Sequence, residues 1–302
     1  MNNRKSFIVG IKSTILSKEE VKFLKKYKPW GIILFTRNIK NISQTQKLTR
    51  DIRNIFKDSR YPILIDQEGG RVNRLKNIIT FDNLTSEYFG TKFLRNNYEF
   101  KIFYKLFIDK TSFLLKNLGI NINSVPVLDL RIKGSSSIIG DRSYSKDPRV
   151  VSKIGDLCIK LFHENSIGTI IKHIPGHGLA KVDSHFLTPK INKSFEYLMK
   201  NDFYTFKNKK SFFAMTGHLV FSKIDKENTV THSKKIINLI RKKIGFKNIL
   251  ISDDLSMKSL KDSLKNNTIR AFNSGCNLVL HCNGNLEEMV TVGKNSPLVN
   301  KF

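Results

Sequence analysis

Apolar and polar positions along the chain follow two different periods. Short apolar runs, mostly rich in β-branched residues, occupy positions 6–11, 31–35, 62–65, 122–124, 168–172, 212–216, 248–252 and 277–281. Between most of them apolar residues recur at three- and four-residue spacing, over 18–27, 43–56, 100–118, 147–165, 194–206, 233–244 and 268–274. The first pattern predicts buried strands and the second amphipathic helices. Eight such strands alternating with helices imply parallel βαβ units.

That alternation suits either a closed barrel or an open doubly wound sheet. No Gly-x-Gly-x-x-Gly follows a strand, and no Pro-rich or Ser-rich linker divides the 302 residues. The fold class expected is therefore α/β, a single (β/α)8 barrel over residues 1–302 with long active-site loops at 66–94 and 129–149. Few residues follow the eighth strand, so the terminal helix is expected to be shortened.

In a barrel the loops after the strands converge at one face, and chemistry gathers there. The second strand is followed by Thr36-Arg37-Asn38 and the third by Asp66-Gln67-Glu68-Gly69-Gly70-Arg71. Pro126 and Asp129 follow the fourth, and Lys172-His173 the fifth. Gly217-His218, Asp253-Asp254 and His281-Cys282-Asn283 end the remaining three. Ionisable residues recurring at strand ends point to one shared site, although loops are polar in any case.

Composition adds a net charge of +28, which raises the question of a nucleic-acid partner. The lysines are spread over predicted helix faces, as at Lys22, Lys25, Lys26, Lys234, Lys235, Lys242 and Lys243, without a nucleic-acid-binding motif. A coding bias toward Lys, Asn, Ile and Phe accounts for them more simply, so no specific nucleic-acid partner is expected. Cys158, Cys276 and Cys282 match neither a disulfide framework nor a paired-cysteine zinc motif. The apolar run at 7–11 is too brief for a signal peptide, and no segment approaches a membrane span. A cytoplasmic monomer with no membrane partner is the expectation.

The segment "KHIPGHGLAKVDSH", residues 172–185, concentrates three histidines and one aspartate. His173 and His177 have the spacing of a helical zinc pair, but Pro175 and Gly176 between them break the helix such a pair requires. A loop-built metal site from His173, His177, Asp183 and His185 stays open as the lesser reading. Asp183 and His185 read better as a pair. In an extended segment residues i and i+2 project to one side, so the carboxylate could hold the imidazole in one tautomer and favour its protonated form. The two residues alone would still leave a loop pair with no role as the plainer account.

Five blocks in order, "LIDQEGGRVNRL", "SVPVLDL", "IIGDRSYSKDP", "IKHIPGHG" with "VDSH", and "ISDDLSM", resemble the β-N-acetylhexosaminidases of glycoside hydrolase family 3. "GIILFTRN" and "SGCNLVLHCN" look similar too, so the likeness runs from about residue 7 to 284. The resemblance implies a retaining enzyme that removes a terminal β-linked N-acetylglucosamine, with no cofactor and no metal. It implies Asp253 as nucleophile, His185 as acid/base and Asp183 as its orienting partner. It implies sugar contacts at Asp66, Arg74, Arg142, Lys172 and His173. Asp254 reads as a structural loop acid, His177 as a loop-shaping residue, and Gly69-Gly70 as a tight turn.

A histidine in place of the second carboxyl of most retaining glycosidases changes the electrostatics, because neutral imidazole does not repel an anionic nucleophile. Two activities therefore stay open within the family: hydrolysis of peptidoglycan-derived fragments, and phosphorolysis with phosphate replacing water. A basic nucleic-acid-binding barrel and a metallohydrolase stand further off.

Overall fold

The computed structural model describes residues 3–299. The first half runs β1 (Lys5–Gly10), α1 (Lys18–Tyr27), β2 (Pro29–Leu34), α2 (Ile42–Phe56), β3 (Ile63–Ile65), α3 (Ser86–Arg95), α4 (Asn97–Asn117), β4 (Ile122–Asn123) and α5 (Pro148–Glu164). The second half runs β5 (Gly168–Ile174), β6 (Lys190–Ile191), α6 (Phe195–Lys200), β7 (Phe213–Thr216), β8 (Val220–Phe221), α7 (Lys234–Leu239), β9 (Ile249–Asp254), α8 (Leu264–Ser274), β10 (Leu278–His281) and α9 (Leu286–Asn295). Eight strands close into a barrel in the order β1-β10-β9-β7-β5-β4-β3-β2, and β6 pairs with β8 apart from it. Every barrel pair is parallel. The expected (β/α)8 barrel is the observed fold.

The two-residue period of a strand sorts its side chains between two cores. Ile8, Ile33, Leu64, Ile170, Ile251, Leu278 and Leu280 fill the barrel interior. Their neighbours Phe7, Val9, Ile32, Leu34, Ile63, Ile65, Ile171, Leu250 and Val279 pack outward in the helix-facing core. Burial on both faces explains why these strands read as continuous apolar runs. Trp30 and Phe213, at the starts of β2 and β7, meet edge to face at 5.4 Å and plug the lower end. The barrel is thus a packed core with the ionisable strand ends gathered at its upper end.

Helix boundaries follow local chemistry. Ser17 caps α1 by accepting from the Glu20 amide, while the Glu20 carboxylate accepts from the Ser17 and Lys12 amides. That box ties the loop after β1 to α1. The terminal helix is α9, ten residues long, which packs against α1, α8 and β1 and completes the outer layer.

Three expectations need correction. The region 66–94 is not all loop, because α3 starts after the Thr85 cap. Only Phe89 and Gly90 of α3 are buried, too few for a periodic signal. The helix expected over 194–206 stops at Lys200: Asn201 leaves helical geometry at φ −120°, ψ −97°, and a short 3-10 turn follows at Tyr204–Phe206. The two-residue strands β6 and β8 lie in stretches read as connections. Among the described residues no helix is long and apolar enough to cross a membrane.

Candidate active site

Lys172, on β5, is the hub of one wall of the barrel mouth. Its Nζ donates to Glu68 Oε1 at 2.7 Å and to Asp66 Oδ1 at 3.0 Å, and its side chain is almost wholly buried. Arg142 joins from the loop after β4, with Nε and Nη2 donating to the two Glu68 oxygens at 2.7 and 2.9 Å. Burial works against the charge on Glu68, yet Arg142 and Lys172 hold its carboxyl well below the ordinary carboxylate range. Asp66 is likewise kept low by Lys172 and Arg74 against the opposing effect of burial. Arg74 stands 3.7 Å from Asp66 and lies over the Phe35 ring at 5.3 Å.

Backbone features deliver this wall. Gly69 and Gly70 take positive φ values of 95° and 53°, so the chain after β3 reverses where a side chain would be strained. Arg71 then fastens the loop after β4, donating to Asp141 at 2.7 Å and to the Ser137 and Ile138 carbonyls. Arg71 is a bridge between loops, and Arg142 is carried into the mouth by that bridge.

Asp129 organises the floor. Its carboxylate is fully buried and accepts from the His173 amide, from His173 Nδ1 at 2.7 Å and from the His177 amide at 2.6 Å. The contact makes Nδ1 of His173 a donor and keeps Nε2 for a further partner. His177 meets Ser184 Oγ at 3.1 Å, and burial together with neighbouring His173 lowers its pKa to about 4. Its ring therefore stays neutral. Below it, an added Cβ on Gly176 would come within 2.6 Å of Asp202 Cβ. The Asp202 side chain is buried with no hydrogen-bond partner for either oxygen among the described residues, and burial with nearby Asp129 pushes it up to about 7.

Asp253 and Asp254 end β9 with different surroundings. Asp253 accepts the Asp254 amide at 2.8 Å. Burial opposes its charge, but His173, the Asp254 amide and His185 are among the groups that hold its carboxyl below the ordinary value. Asp254 is instead engaged structurally: it accepts from the Ser256 amide and hydroxyl and from the Cys282 amide. His218 Nε2 donates to the Asp254 carbonyl at 3.0 Å, which leaves Nδ1 to accept from Thr231 at 2.7 Å. Thr216 donates to Thr231 in turn at 2.8 Å. Burial lowers the His218 pKa, so a neutral ring with a fixed tautomer flanks Asp253.

Asp183 and His185 sit on the loop after β5. His185 Nδ1 meets Asp183 Oδ1 at 2.8 Å, as expected, but the backbone is not extended. The same oxygen accepts the His185 amide at 2.8 Å, and the Asp183 carbonyl accepts from Phe186 and Leu187. An Asx-type turn, rather than strand alternation, makes the pair. His185 is more than half exposed. Thr188 donates to the Ser259 carbonyl at 2.7 Å and the Lys258 amide reaches the His185 carbonyl at 3.4 Å, so this loop is tethered to the one after β9.

All eight residues singled out from the sequence thus lie at the same end of the barrel, six in or beside the packed wall and floor and two on the tethered loop. Glu68, Asp129 and His218 belong to the same constellation; their positions at strand ends were the only sequence signal. Among the described residues no group of three or more His, Cys, Asp or Glu side chains is placed to hold a metal ion.

The family described as Glycosyl hydrolase family 3 N terminal domain matches residues 8–300. A β-hexosaminidase of Haemophilus influenzae is 31% identical over 288 residues, covering 92% of this chain and 79% of that protein. One from Idiomarina loihiensis is 30% identical, covering 91% and 83%. The structure of NagZ from Neisseria gonorrhoeae in complex with N-trifluoroacetyl-D-glucosamine superposes with a TM-score of 0.87 at 26% identity, covering 98% of this chain and 86% of that one. A glycoside hydrolase family 3 β-N-acetylglucosaminidase from Paenibacillus sp. superposes at 0.88 with 25% identity, covering 96% of this chain but 56% of that one.

Proposed function

The chain belongs to glycoside hydrolase family 3 as a hydrolase acting on glycosides, and from that premise we propose that it is a retaining exo-β-N-acetylglucosaminidase. The observation that carries the mechanism is the setting of Asp253. It is an ionised carboxylate at the barrel mouth, flanked by His173 and neutral His218, and among the described residues no basic side chain is hydrogen-bonded to it to quench its nucleophilicity.

In this mechanism the Asp253 carboxylate attacks the anomeric carbon while the His185 imidazolium protonates the departing oxygen. A glycosyl-enzyme ester forms and the aglycone leaves. His185, now neutral, takes a proton from water, which attacks the same carbon and releases Asp253. Asp183 holds His185 through Nδ1, leaving Nε2 to carry the proton. Asp66 and Arg74, the more open members of the wall, contact sugar hydroxyls, with Lys172, Arg142 and His173 presenting their remaining donors behind them.

The substrate class proposed is a peptidoglycan-derived fragment bearing terminal N-acetylglucosamine on a muramic-type residue, met in the cytoplasm by a monomeric enzyme. The carbohydrate-bound Neisseria neighbour supports the sugar part of this reading. An aryl N-acetylglucosaminide assayed with the wild type, Asp253→Asn and His185→Ala tests it. Both variants should lose turnover, and near-wild-type rates in both would sink the mechanism. A phosphorolytic variant draws on His185 being an imidazole at an open edge of the mouth, where a phosphate dianion could approach. Sugar phosphate among the products when phosphate is present would establish that variant, and free sugar alone would dismiss it.

A further inference from the structure

Helix α4 is apolar on both faces, which its place on the outside of the barrel does not require. Its inner side buries Phe100, Tyr104, Ile108, Leu114 and Leu115. Its outer side carries Tyr98, Ile102, Leu106 and Phe113, exposed by 76%, 43%, 59% and 60%. These four fall along one stripe at helical spacing, and Leu94 near the end of the preceding helix α3 is exposed by 65%. Exposed Lys101, Lys105, Lys110 and Lys116 border the stripe. One acid, Asp109, falls within the stripe, where Lys105 and Asn165 neutralise and bind its carboxylate, and Glu99 is paired with Lys92 at 2.7 Å.

At the C-terminal end of α4, one turn beyond Phe113, Lys116 lines a pocket of about 500 Å³ together with Arg50 and Arg53 of α2 and Lys57, the residue after that helix. Its one acid, Asp58, is bound to Arg4. Arg53 donates through Nη2 to the Gly119 carbonyl at 2.7 Å, while its buried Nε has no partner among the described residues. The pocket lies at the starts of β3 and β4, opposite the catalytic mouth.

We propose that the outer face of α4 and this cationic pocket form one docking surface for an anionic phospholipid bilayer. The stripe would enter the acyl boundary while the pocket takes a lipid phosphate, and the mouth would stay open to solution. Charge argues for this occupant. A second copy would bring another +28 and the same lysines, so like charges would meet across the contact. A nucleic acid would satisfy the pocket but leave Ile102, Leu106 and Phe113 bare to water. The expectation of no membrane partner came from the lack of a spanning segment, and a surface helix needs none.

Co-sedimentation with phosphatidylcholine vesicles, with and without phosphatidylglycerol, tests the surface. The wild-type protein should bind only the anionic vesicles and release with rising salt. Leu106→Ser with Phe113→Ser should weaken binding about tenfold through lost apolar burial. Arg50→Glu with Lys57→Glu and Lys116→Glu should weaken it at least about 100-fold. Lys234→Glu with Lys242→Glu and Lys243→Glu, around α7 on a different side of the barrel, is the control for diffuse charge and should cost less than about threefold. All three should keep the wild-type melting temperature and glycosidase rate. Equal losses in the pocket and control triples would overturn the proposal, as would unchanged binding of the apolar pair. A dimer in sedimentation velocity that the apolar pair dissolves, or duplex DNA binding with the same pattern across variants, would assign the surface to another partner and overturn it equally.

Discussion

Around Lys172, Asp66, Glu68 and Arg142 stand within 3.0 Å of a partner with side chains no more than 15% exposed, whereas His185 is more than half exposed and bonded through its ring to Asp183. Both regions face the same mouth, but they do different physical work. In the wall, each charge is matched, so geometry is held before a sugar arrives and little reorganisation is needed on binding. On the loop, an imidazole must exchange protons with a leaving group and then with water, which a sealed ion pair would prevent. The difference teaches that recognition and proton transfer are built on separate supports here. Substitutions on the two sides should therefore fail in different ways.

The largest effect should come from the residue between the two regions. Asp253→Asn keeps the amide contact but removes the attacking charge, and kcat on an aryl N-acetylglucosaminide should fall by about 10⁴-fold or more with the protein still folded. Normal melting beside lost turnover is the expected pair of readings; retained turnover would remove Asp253 from the chemistry.

Next comes the wall. Glu68→Ala would leave the Lys172 and Arg142 charges without their shared acceptor, at a cost of about 3–5 kcal/mol in stability. A thermal melt and KM should both shift. A stable Glu68→Ala protein with unchanged KM would mean that the wall is not preorganised by this carboxylate.

His185→Ala should behave in the opposite manner. Loss of an exposed loop side chain should change stability by no more than about 0.5 kcal/mol. Loss of the proton carrier should lower kcat by about 10² to 10³-fold, and by less with aryl leaving groups that depart without protonation. If the melting temperature fell as far as for Glu68→Ala, the contrast between the regions would be mistaken.

The sequence disclosed these regions unequally for physical reasons. Strands buried on both faces leave long apolar runs, so all eight barrel strands were legible within a few residues, and the ionisable groups at their ends came with them. Asp183 and His185 were legible as a pair because they are two residues apart, although the turn joining them was not. Glu68 and Arg142 are 74 residues apart, and Asp129 and His173 are 44 apart. Partnerships at such distance leave no local spacing, so Glu68 and Asp129 looked like any other polar strand ends. Helix α3 was missed because it buries so little, and the resemblance to a family could supply roles but not these contacts.

A change in stability with pH sharpens the comparison from beneath. Asp202 is a buried carboxyl raised from 3.8 to about 7, with no partner to compensate. Below the unfolded value both states carry the proton and the residue is neutral toward folding. As pH rises from about 4 to 7 the unfolded chain ionises first, so wild-type stability falls by up to about 1.4 kcal/mol per pH unit. Above about 7 both states are ionised and the full penalty persists. Asp202→Asn cannot ionise, so its melting temperature relative to the wild type should climb between pH 4 and 7 and then level off. His177, held near 4, acts in the other direction in both proteins: the unfolded histidine protonates as pH falls below its ordinary 6.5, which destabilises the fold on the acid side. That contribution cancels in the difference. A variant whose melting curve simply parallels the wild type over this range would mean that Asp202 has an acceptable partner, and that the floor beneath His173 and His177 is as fully satisfied as the wall around Lys172.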